Sequence, residues 1–133
     1  MENCIFCKII KRELPAQRVY EDDNYLAFLS IGPVSQGHTV VIPKKHTATF
    51  AELEPKDAAD LICVVQTLAK EIVAKLDAKA FNLGLNNGEL AGQVVPHVHW
   101  HIMPRYQDDG LVHWHVNEEA KNKMDEVLAK LVN

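Results

Sequence analysis

Three histidines alternate with bulky apolar residues in His97-Val98-His99-Trp100-His101-Ile102-Met103. Successive side chains of a β-strand point to opposite faces, so His97, His99 and His101 share one face in steps of roughly 6.6 Å. Val98, Trp100 and Ile102 take the other face and suit a core. Imidazole is the side chain that serves as nucleophile, proton carrier or metal ligand near neutral pH. Directly upstream runs the loop Asn86-Asn87-Gly88-Glu89-Leu90-Ala91-Gly92-Gln93-Val94-Val95-Pro96. Its small residues at 91 and 92 let backbone amides approach a ligand, and consecutive amides in such a turn form an anion-binding nest for a phosphate. A second candidate site opens the chain, where Cys4 and Cys7 form a Cys-x-x-Cys pair. Metal binding, redox chemistry and coincidence are all open for such a pair. The redox reading wants the pair at the start of a helix in a βαβ unit, which the sequence does not supply. Zinc wants two more soft or borderline ligands, and His46 and His97 are available.

The elements that must position these residues follow from pattern. Ile5, Phe6 and Ile9 have the spacing of a short helical turn. Arg18 to Glu21 and Tyr25 to Leu29 are aromatic and β-branched runs separated by Asp22-Asp23-Asn24, which predicts a hairpin. A loop punctuated by Gly32, Pro33 and Gly37 leads into His38 to Ile42, a strongly β-prone run stopped by Pro43. From Pro55 to Asp77, apolar residues at 58, 61, 62, 65, 68, 69, 72, 73 and 76 predict a long amphipathic helix with Pro55 in its first turn. Phe81 to Leu85 reads as a strand entering the glycine loop. After Asn117, a candidate N-cap, Met124, Val127, Leu128 and Leu131 share the face of a C-terminal helix. The expected architecture is α+β with a mostly antiparallel five-stranded sheet, one domain over 1–133 with a helical extension over 107–133.

Composition narrows the function classes. The chain has 133 residues, 47% hydrophobic and 24% charged, which is globular rather than disordered. A net charge of −4 without a long basic run argues against a broad nucleic-acid footprint and leaves room for a small phosphate pocket. The chain shows neither a signal-type apolar run nor a stretch of membrane-spanning length, so the expected location is the cytoplasm. Cys63, amid Ile62, Val64 and Val65, reads as a buried small hydrophobe. His113 and His115 flank Trp114 in what reads as a polar tail.

The run from Ala91 to Met103 resembles the signature of the histidine-triad (HIT) family, and the resemblance extends to Cys4-Ile5-Phe6-Cys7-Lys8-Ile9, Val19 to Asp23 and Gly37 to His46. These segments are similar to the nucleoside-phosphoramidase branch. The resemblance implies the HIT fold, a homodimer, a purine nucleotide substrate and attack on its α-phosphate. It assigns His99 as nucleophile, forming a covalent nucleotidyl-histidine, with His38 and His101 contacting the phosphate or orienting the nucleophile. Asn86, Gly92, Gln93 and the amides around Val94 match phosphate and ribose contacts, and Ile5, Phe6, Ile9, Phe28 and Leu29 an apolar slot for the base. Cys4, Cys7, His46 and His97 match a structural zinc site known in bacterial members. Two positions depart from the pattern. Ser30 stands where an aspartate commonly grips the ribose, and Val94 where some members place a hydroxyl that helps the leaving group.

Two rivals remain in view. Three histidines could ligate a catalytic metal, although on a flat strand only i and i+2 neighbours easily share one ion. The domain could also bind nucleotides as a regulatory or interaction module, with hydrolysis incidental.

Overall fold

The computed structural model describes residues 2–132; Met1 and Asn133, the ends of the expected domain, lie outside the described residues. The elements in chain order are α1 (Ile5–Ile10), β1 (Arg18–Glu21), β2 (Tyr25–Leu29), β3 (Thr39–Pro43), α2 (Pro55–Lys75), β4 (Ala80–Leu85), β5 (Trp100–Arg105), α3 (Glu118–Asn122) and α4 (Met124–Leu131). The sheet order is β1-β2-β3-β5-β4, and every neighbouring pair is antiparallel. The chain leaves β3, crosses through α2 to lay down β4 at the edge, and returns β5 into the gap between them. No helix among the described residues is long and apolar enough to cross a membrane.

The two sheet faces bury different sets of side chains. On one, α2 sets Leu61, Val65, Leu68, Ala69 and Ile72 against Ala27, Val41, Val98 and Ile102, the i, i+4, i+7 stripe expected of an amphipathic helix. On the other, Phe6 and Ile9 of α1 pack against Leu26, Phe28, Val40 and Ile42. β3, buried along its whole length, lies between the two clusters. Position 63 falls about 200° around α2 from Leu61, off the core stripe. Cys63 is accordingly exposed rather than buried, which corrects the expectation.

Two features of the elements differ from the sequence expectation. The histidine strand begins at Trp100 rather than His97. Pro96 carries no amide for a ladder, the His97 amide turns back to the Val95 carbonyl (2.8 Å), and the Val98 amide donates to Thr47 (2.8 Å). His97 and His99 are therefore held by turns and by the loop after β3. The C-terminal helix is broken at Lys123 into α3 and α4, with Asn117 capping the first through Ala120 (2.9 Å). Gly37, at φ +87, directs the chain into His38 in a backbone conformation that strains any residue with a Cβ, and an added Cβ would also press on Leu76 Cδ1, so glycine is favoured there.

Ile102 is fully buried beneath α2 in the strand that carries His101. Replacing it with alanine is expected to lower unfolding free energy by about 2–5 kcal/mol, read as a drop in urea midpoint with an unchanged denaturant slope.

Candidate active site and metal centre

The face of the sheet opposite α2 gathers the histidines, and their hydrogen bonds assign a separate task to each ring. His99 Nδ1 lies 2.8 Å from the His97 carbonyl. A carbonyl only accepts, so Nδ1 carries the proton and the neutral ring keeps its lone pair on Nε2. The Val34 amide donates to His38 Nδ1 (3.1 Å), so His38 carries its proton on Nε2, which lies 2.8 Å from His101 Nδ1. His38 Nε2–H therefore donates to His101, and His101 is left with a free Nε2–H. The His99 and His101 ring centroids are 5.0 Å apart. A lone-pair nitrogen and an N–H donor thus sit side by side, which is what attack on an anionic electrophile requires.

Burial keeps these rings uncharged. Desolvation lowers His38 and His99, and holds His101 at about 4, with His99 and His38 adding to the effect. Phe6 lies edge-on to His99 (5.1 Å between centroids) and to His97 (5.8 Å). The short helix α1 thereby walls the site with an aromatic ring.

His97 faces elsewhere. Its Nε2–H donates to the Pro43 carbonyl (2.8 Å), which aims the Nδ1 lone pair at Cys4 Sγ (3.4 Å), Cys7 Sγ (3.7 Å) and His46 Nδ1 (3.2 Å). Cys7 Sγ is also 3.3 Å from His46 Nδ1. Tetrahedral zinc with ordinary Zn–N and Zn–S bonds has ligand–ligand edges of about 3.3–3.8 Å; the four separations above are close to that range, and all four atoms lie within 4.8 Å of one another. Burial, then the neighbouring Cys4, push the Cys7 thiol up; two adjacent thiolates need a cation between them. Among the described residues this group of four could hold a metal ion, and it takes only His97 from the triad.

The remaining expected residues divide into loop braces and walls. Gln93 gives its side chain to the loop itself, accepting from the Gly88 amide (2.8 Å) and donating to the carbonyls of Ala48 (2.6 Å) and Val95 (3.1 Å). Asn86 Nδ2 donates to the Gly92 carbonyl (3.3 Å), and Gly92 takes the left-handed conformation at φ +89. The amides of Ala91, Gly92 and Gln93 return to Gly88 and Glu89 carbonyls, so the expected nest is closed at those positions. Val94 stands out in solvent at 89% exposure. Phe6, Ile9 and Phe28 are core residues, with Phe6 edge-on to Phe28 at 5.5 Å, whereas Ile5 is 45% exposed. Leu29 ends β2 and Ser30 follows it, with Ser30 Oγ accepting from the Gly32 amide (3.3 Å).

The sequence reading missed one structure beside the histidines. A cavity of 450 Å³ opens over β4 and β5, lined by His38, His101, Asn86 and Met103 on the sheet side and by Leu111 and Trp114 of the tail. Arg105 fixes that tail: it donates to Asp109 through Nε (2.8 Å) and Nη2 (3.1 Å), to the Leu111 carbonyl (3.0 Å) and to Asn82 (2.7 Å). Arg105 first, then the Tyr106 and Leu111 amides, hold the Asp109 carboxyl well below the usual carboxylate range. The signal available in sequence was an i, i+4 Arg–Asp pair spanning a turn with Gly110.

Residues 11–108 match the HIT domain family. The chain is 47% identical to an uncharacterized HIT-like protein of Methanocaldococcus jannaschii, covering 96% of this chain and 98% of that one. It is 40% identical to the adenosine 5'-monophosphoramidase hnt1 of Schizosaccharomyces pombe, over 80% and 77% of the two chains. Its structure resembles the crystal structure of a Zn-bound histidine triad family protein from Mycobacterium smegmatis, with a TM-score of 0.80 at 37% identity over 98% and 96% of the chains. Matched in fold, in triad and along most of its length, this chain belongs to the HIT family.

Proposed function

We propose that the chain cleaves the α-phosphate linkage of nucleoside phosphoramidates, and of related conjugates in which a purine nucleoside phosphate carries a leaving group, through His99. The observation that carries the reading is the paired protonation pattern: His99 presents a lone pair on Nε2 while the His38–His101 relay leaves an N–H on His101 beside it. The named activity of the fission-yeast relative supports the substrate class. A neutral imidazole attacks phosphorus without first losing a proton. His99 Nε2 bonds to the α-phosphorus as the bond to the leaving group breaks, and the departing amine takes up a proton. Water then attacks the nucleotidyl-histidine, releasing the nucleoside monophosphate and the imidazole. His101 Nε2–H steadies the phosphoryl oxygens, since catalysis of this transfer is mostly positioning and charge stabilisation.

Cys4, Cys7, His46 and His97 hold zinc in the same reading, supported by their spacing and by the Zn-bound mycobacterial neighbour. The ion would fix the His97 ring, whose backbone carbonyl sets the His99 tautomer, and takes no part in the displacement.

Three outcomes follow. His99→Ala should lower kcat/KM for adenosine phosphoramidate by about a thousandfold or more while leaving the circular dichroism spectrum intact; near wild-type turnover would sink the mechanism. Removing zinc with a chelator should lower the melting temperature and leave measurable turnover in the folded fraction, whereas abolished chemistry in fully folded protein would favour a catalytic metal. The third concerns pH. The unfolded chain protonates His101 near 6.5 and the folded chain only near about 4, so its stabilising contribution is complete above pH 6.5 and is lost as pH falls towards 4. The unfolding free energy of wild type relative to His101→Gln should decline across that window, and a flat difference would contradict a buried neutral ring.

A further inference from the structure

Cys4 and Cys7 stand at the start of a helix. Cys4 is the N-cap of α1, and its sulfur accepts from the Cys7 amide at 3.5 Å. Side chains at i and i+3 on a helix are neighbours, and the two sulfurs belong to a group whose ligand atoms all lie within 4.8 Å of one another. Residues one helical turn apart fall within the span that a disulfide bridges without moving backbone. Cys7 is partly exposed and Cys4 buried, so an oxidant reaches Cys7 and Cys4 stands behind it as a second thiol. Between them in sequence lies Phe6, whose ring packs on both His97 and His99.

We propose that Cys4 and Cys7 close a reversible disulfide under peroxide, expelling the metal and leaving His97 held only at its Pro43 end. The inference rests on the reading of these residues as a metal centre. The Cys7 thiolate attacks a peroxide oxygen, the O–O bond breaks, and the departing oxygen takes a proton and leaves as water. The resulting sulfenic acid is attacked by the Cys4 thiolate; the S–S bond forms and the displaced hydroxide takes a second proton to leave as water. The sulfurs lose two electrons, the peroxide gains them, and solvent supplies both protons. Disulfide sulfur no longer ligates as thiolate, and His46 and His97 alone fall short of the four ligands that a structural zinc takes. The metal centre then works as an oxidant-sensitive brace: when it opens, His97 loses its restraint at Nδ1, and Phe6 moves with the new link across α1.

Cys63, exposed and remote from the cluster, is removed as Cys63→Ser so that only the pair can respond. The zinc-loaded variant is treated with hydrogen peroxide beside a chromogenic chelator, and the tryptic fragment ending at Lys8, which holds both cysteines, is weighed. The expected result is metal release in step with loss of two hydrogen masses from that fragment, a severalfold fall in phosphoramidase turnover, and recovery of all three on adding a reductant and zinc. Metal that stays bound under peroxide, or metal that leaves with the fragment carrying sulfinic acids and no disulfide, overturns the proposal. Protein that carries no zinc before oxidant is added overturns the metal-centre reading instead, a failure visible at the first measurement.

Discussion

The hydrogen bond from His97 Nε2 to the Pro43 carbonyl divides the labour of the histidines. Pro43 ends β3, a strand buried along its whole length, so its carbonyl is an immovable acceptor. With Nε2 committed there, His97 turns its other nitrogen to the cysteine pair and away from His99 and His101. Its main-chain carbonyl meanwhile orients His99. One residue thus meets Cys4, Cys7 and His46 with its side chain and His99 with its backbone, and both contacts depend on where β3 stops.

Four imidazoles in or beside one buried face would repel one another if charged, and the fold prevents the charge from forming. Each ring is desolvated, and none lies beside a carboxylate that would favour its protonation. Burying neutral polar groups is tolerable only when their donors and acceptors are matched. The relay from the Val34 amide through His38 to His101 does this with a single direction of donation. The relay ends with a proton on His101 Nε2, outside the chain of donation.

Much of this was legible in the chain. The alternation at 97–103 put the histidines on one face because apolar Val98 and Ile102 had to reach a core, and the 3.6-residue stripe of α2 was plain because five apolar residues repeat along it. The metal group was readable from residue chemistry, since two soft ligands in one helical turn need partners from elsewhere. What escaped depends on contacts without local period. The strand starts at Trp100 because the His97 amide turns back to Val95 and the Val98 amide is taken by Thr47 in the loop after β3, and the second of these is a long-range competition that no window of sequence displays. Gln93, expected from the resemblance as a ligand contact, also braces its own loop, a role its position in sequence does not display. The Arg105–Asp109 clamp was hidden because an Arg–Asp pair at that spacing is usually a solvated helix pair, and here it closes a turn.

The place of β5 in the sheet has a consequence for how the molecule comes into being. It comes last in chain order among the described strands, yet it lies between β3 and β4, pairing Thr39 with Ile102 and Leu83 with Ile102. A ribosome that has released only the first hundred residues has produced two strands with unpaired edges facing an empty slot, and such edges invite pairing with other chains. The strand that fills the slot brings His101 with it. Closing the sheet and bringing the histidines together are therefore one event that waits on long-range pairing, the kind of contact that is costly to form early.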